Sequence, residues 1–198
     1  MRTQASMIAV LAGGLLTSAC AGSPVLYNHF VNSRYSPTEY GVGAGRKDLE
    51  TVIQGDPFGI GTAEFAAATT AILNRHQPVL QPTHFTTAPG EDASPDHRMV
   101  LLFDRPEIPV FRLCREPLPA PAAEAPVRAP DRTLHAAAAF CLHQGELTAV
   151  EGEVDGVAGV DDPAFERLLA QIVRALFPPT DPNEDDTPLF RIGALALR

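Results

Sequence analysis

Apolar positions along the chain follow two periods, and the switches between them mark out the elements. From Thr62 on, Phe65, Thr69, Ile72 and Leu73 recur at the three-to-four spacing of a helix face, with Glu64 near the positive end of the dipole and Thr62 placed to cap it. A stronger stripe runs through Phe165, Leu168, Leu169, Ile172, Val173 and Leu176. Asp162 precedes it as a cap, Pro163 suits the first helical position, and Pro178 and Pro179 stop it. Extended segments are predicted at 49–54, 83–87, 98–104, 109–114, 133–143 and 146–155. Met99 to Phe103 is nearly continuous in apolar character, as expected of a central strand buried on both faces. Gln144 and Gly145 between the last two strands predict a tight hairpin whose glycine supplies the positive φ. The order β-α-β-β-β-β-β-α predicts an α+β fold, a mostly antiparallel sheet with two main helices packed on one face.

Other stretches lack either period. Residues 20–46 are polar and glycine-spaced, which predicts a tether leading into a single domain over 47–198. All three tyrosines of the chain, Tyr27, Tyr35 and Tyr40, fall in that tether together with Phe30, an unusual load for a flexible spacer. Two readings are open: the segment docks on its own domain, or these four aromatics are partner-binding anchors. Five prolines between alanines make 117–131 an extended loop. Beyond an acidic linker, the apolar residues of 187–198 need a surface to cover, either the parent domain or a partner.

The first residues read as an address. Arg2 supplies a thin positive region, Met7 to Leu16 an apolar core, and Thr17, Ser18 and Ala19 a small-residue exit before Cys20. About ten apolar residues are too few to span a bilayer, which needs roughly 20 in a helix. The pattern resembles the lipobox of bacterial lipoproteins, with Leu16 one place earlier than the usual leucine. That resemblance implies a signal peptide over 1–19, lipidation of Cys20, and, with Ala21 following the cysteine, the periplasmic face of the outer membrane. Ala19-Cys20-Ala21 also fits an ordinary signal-peptidase site, which would release a soluble chain from Gly22.

Composition narrows the function classes. A chain of 198 residues less a 19-residue leader is enough for one domain with a substantial core. A formal net charge of −9 argues against nucleic acid, whose phosphates call for a basic face. Of three cysteines, Cys20 goes to lipid, leaving Cys114 and Cys141 as an even pair in an oxidising compartment. Alternation within 109–114 and 133–143 puts both on the less apolar faces of their strands, where they form a disulfide or stay as two buried thiols.

No motif for chemistry is complete. Gly41, Gly43 and Gly45 before Arg46 and Lys47 have neither the P-loop spacing nor a preceding strand. His135, Cys141 and His143 share a predicted strand face, but a fourth zinc ligand is not indicated, so no metal or cofactor is expected. Ser94 lies in a turn-rich loop beside Asp92, Asp96 and His97; sequence neighbours seldom form a triad, and loop solvation accounts for them. The final hairpin, the last helix and the closing Phe177 to Pro179, taken with the lipobox, are similar to small proteobacterial envelope lipoproteins. The expected function is a lipid-anchored, non-enzymatic interaction or assembly module, touching the membrane through its lipid, with an envelope protein as the candidate partner. The alternatives are a periplasmic hydrolase and a small-ligand or metal-binding lipoprotein.

Overall fold

The computed structural model describes residues 22–105, 108–115 and 133–180. Cys20, the loop at 117–131 and the tail at 187–198 lie outside them. The elements run β1 (Val25–Val31), α1 (Pro37–Gly43), β2 (Asp48–Gln54), α2 (Thr62–Arg75), β3 (His84–Thr86), β4 (His97–Phe103), β5 (Leu134–Leu142), β6 (Gly145–Val154) and α3 (Pro163–Leu176). One six-stranded sheet has the order β1-β6-β5-β4-β2-β3. β2 pairs in parallel with β3 and β4, and the remaining pairings are antiparallel. The fold is α+β, a mixed, mostly antiparallel sheet with three helices.

β4 sits at the centre, between β5 and β2, and its run from Met99 to Phe103 is buried throughout. Its alternation divides the core: Met99, Leu101 and Phe103 meet the helices, while Val100 and Leu102 point to the other face. The helix side holds the larger cluster, in which ring contacts link Phe58, Phe65, Phe103 and Phe165. α3 begins as its sequence dictates, with Asp162 accepting a hydrogen bond from the Ala164 amide at 2.8 Å, and buries its entire apolar stripe. α2 starts differently from expectation. Gly61, at φ 103°, is the cap and Thr62 the first helical residue, because the Asp56 carboxylate accepts from the Gly61 amide at 2.6 Å and bends the chain there.

The opposite face has a smaller cover. Residues 109–114, expected as a strand, instead form a 3-10 turn at Val110–Arg112 that lies over β4, β5 and β6. Val110 and Leu113 are both buried, the three-residue period of that helix type, while Phe111 between them is 61% exposed. Cys114 is joined to Cys141 of β5 by the disulfide. Arg98 donates to the Cys114 carbonyl at 2.7 Å, and the Cys114 amide donates to the buried Glu146 carboxylate at 3.0 Å. The hairpin also departs from expectation: His143, at φ 54°, takes the left-handed position, and Gly145 gives room to the Arg34 guanidinium.

The tether expectation is corrected from Gly22 onward. Residues 25–31 form the sheet edge against β6, and 37–43 form a helix whose Ser36 cap accepts from the Glu39 amide at 3.0 Å. Tyr35 and Tyr40 are fully buried. The Tyr35 hydroxyl donates to the Pro178 carbonyl at 2.8 Å; that of Tyr40 donates to the Gln81 carbonyl at 2.6 Å and also meets the Thr83 hydroxyl. Burial raises the Tyr40 pKa, so the phenol stays neutral. Tyr40→Phe should therefore cost about 1 to 3 kcal/mol, the range for a buried acceptor losing its donor, as read by chemical denaturation. A cost below about 0.3 kcal/mol would show that the hydroxyl is dispensable.

Candidate functional site

With Tyr35 and Tyr40 in the core, the four expected anchors do not lie on one surface. Tyr27 and Phe30 stand apart from them. In β1, Leu26 and Val31 face the helices, whereas Val25, Tyr27 and Phe30 pair with Glu153, Glu151 and Ala149 on the helix-free face. An irregularity between Tyr27 and Phe30, with Asn28 at φ 49°, resets the alternation so that Phe30 returns to that face. Val25 is 54% and Phe30 43% exposed.

Beside them, Tyr27, Arg105, Ile108, His135 and Glu151 line a cavity of about 60 Å³ between β1, β6, β5 and the end of β4. Asn28 donates to Glu151 at 2.7 Å, and His135 Nδ1 lies 3.6 Å from Glu153. Partial burial, then the negative charges of Glu151 and Glu153, push the Tyr27 pKa upward, so its hydroxyl remains a donor at neutral pH. The cavity thus holds one carboxylate, a guanidinium, a phenol and an imidazole, with Val25 and Phe30 on the same strand as its Tyr27.

The histidines weighed as zinc ligands are drawn elsewhere. Cys141 is taken by the disulfide, His143 Nδ1 lies 3.3 Å from Asp96, and His135 stands against Glu153. Among the described residues, no group of three or more His, Cys, Asp and Glu is arranged to hold a metal ion. The residues around the glycine run also find structural partners. Lys47 donates to the Val42 carbonyl at 2.8 Å, and Arg46 takes a left-handed backbone at the rim of an open polar groove of about 420 Å³. In that groove the Gly90 amide, followed by His84, holds the Asp48 carboxyl below the usual aspartate range.

Ser94 and His97 do meet, but their third partner is not a loop aspartate. Ser94 Oγ lies 2.8 Å from His97 Nδ1, and His97 Nε2 lies 2.9 Å from Oε1 of Glu39, on α1. The imidazole is buried and stacks on Phe140 with ring centroids 5.7 Å apart. Gly43 presses against it so closely that a Cβ there would lie 2.3 Å from Cδ2. Nothing in the sequence near Ser94 indicates Glu39, which is 58 residues from His97.

Comparison with protein-family models, with curated proteins and with solved structures finds no match to this chain.

Proposed function

We propose that this chain is an envelope lipoprotein, anchored through Cys20, that works as an interaction or assembly module through its helix-free face and edge strand β1. The observation that carries the reading is the exposure of Val25 and Phe30 on the outermost strand of the sheet, beside the small cavity lined by Tyr27, Arg105 and Glu151. Large apolar side chains grouped with a phenol at one rim are what binding sites use as anchors. Gly22 already lies against the Asp155 backbone, where a Cβ would come within 3.0 Å of the carbonyl oxygen. Two residues of chain reach at most about 7 Å, so a lipid on Cys20 would hold this end of the sheet directly at the membrane surface. A partner would be met there, within the envelope, and not at the end of a long spacer.

Two variants test the proposal. Radiolabelled palmitate should enter the wild-type chain and not Cys20→Ala; equal labelling of both would remove the anchor. Phe30→Ser should lose an envelope crosslink while leaving the melting temperature within about 2 °C, since single exposed substitutions rarely shift stability by more than about 0.5 kcal/mol. An unchanged crosslink pattern in Phe30→Ser would remove β1 from the interface.

A further inference from the structure

We propose that Ser94 is a nucleophile toward small acyl esters, with His97 as its general base and Glu39 as the residue that positions the imidazole. This activity goes beyond the binding role and does not depend on it. The donor and acceptor pattern carries the inference. A carboxylate only accepts hydrogen bonds, so Glu39 at 2.9 Å requires the proton on Nε2. In the neutral ring Nδ1 is then the lone-pair nitrogen, and Ser94 Oγ lies 2.8 Å from it, within reach to donate its hydroxyl proton. The chain from Ser94 hydroxyl to imidazole to carboxylate runs in the direction a serine nucleophile needs, with the two ring nitrogens exchanged relative to the common arrangement.

The surroundings keep that geometry. Stacking on Phe140 and the close approach of Gly43 leave the ring no space to turn, and the Ser36 cap fixes the backbone of Glu39. His97 is 5% exposed, whereas Ser94 is only partly buried. Glu91, Asp92 and Asp96 are exposed on the same loop, so an uncharged or cationic acyl donor is favoured over an anionic one.

In the reaction, Oγ adds to the ester carbonyl carbon as its proton passes to Nδ1, and Glu39 offsets the imidazolium charge. The tetrahedral intermediate then expels the alkoxide, which takes the proton from Nδ1 and leaves as the alcohol. The product is an acyl ester on Ser94. Water repeats the sequence, giving its proton to Nδ1 and releasing the carboxylic acid and free Ser94.

Since replacing the buried His97 endangers folding, the test uses Ser94 and Glu39. The purified chain is treated with a fluorophosphonate probe, the adduct is mapped by mass spectrometry, and each variant is first shown to melt as the wild type does. The proposal predicts an adduct on Ser94, none there in Ser94→Ala, labelling slowed at least about tenfold in Glu39→Gln, and partial recovery in Glu39→Asp. Absence of a Ser94 adduct from the folded wild-type chain would overturn it. So would labelling at an equal rate in Glu39→Gln, because the hydrogen-bond chain would then be structural only.

Discussion

Leu169→Ala and Ile172→Ala should each destabilise the domain by about 2 to 5 kcal/mol, the range for large-to-small changes at fully buried positions. Both side chains have no exposed surface, and α3 closes the helix side of the sheet mainly over β6. Removing three carbons there leaves a hole that the sheet, with Gly152 already so close to Leu168 that a Cβ would lie 2.9 Å from its Cδ1, has little freedom to fill. Equilibrium urea unfolding checks the prediction through a lower midpoint at unchanged slope. A loss below about 0.5 kcal/mol at both sites would mean that α3 is peripheral to the fold.

Opening the Cys114–Cys141 bridge should have a comparable effect by a different route. The crosslink spans 27 residues, for which the chain-entropy model gives about 3 to 4 kcal/mol. The cover at 108–115 gains the rest of its hold from Arg98, Glu146 and the packing of Val110 and Leu113, so the double Cys114→Ala, Cys141→Ala variant should stay folded with a lower melting temperature. Val100, Leu102 and Ala149 lie beneath that cover, and exchange of their amides should rise more than exchange in α3. Equal stability of the variant and the oxidised wild type, or recovery of both cysteines as free thiols from exported protein, would contradict the bridge.

Burial decides which elements are legible in the sequence. α3 has a stripe with every apolar position facing the core, a cap before it and prolines after it, so its period survives in sequence. β4 reads as continuous because both of its faces are covered. β1 is half solvated, and its irregularity at Asn28 breaks the alternation that would reveal it. α1 is only seven residues long and contains Gly41 and Gly43, the second required by the His97 ring. With both elements hidden, 22–46 has the pattern of a spacer, and only its aromatics hint at docking. The cover at 108–115 misleads because Val110, Phe111 and Leu113 are all apolar, so the run fits a two-residue period through Phe111 or a three-residue period through Val110. For the candidate sites, residue type points to Tyr27 and Phe30, but their separation from Tyr35 and Tyr40 requires the sheet. Glu39 is out of reach of sequence reasoning, since its meeting with His97 depends on α1 packing at the start of β4.

Site-specific photocrosslinking in intact cells tests the binding account most directly. A photoreactive residue placed in turn at Val25, Phe30, Phe111 and Val79 compares the helix-free face with a distant position that is itself 78% exposed. The account predicts a discrete protein adduct from Val25 and Phe30, weaker capture from Phe111, and none from Val79. Adducts of equal yield at all four positions, or capture from Val79 alone, would contradict it.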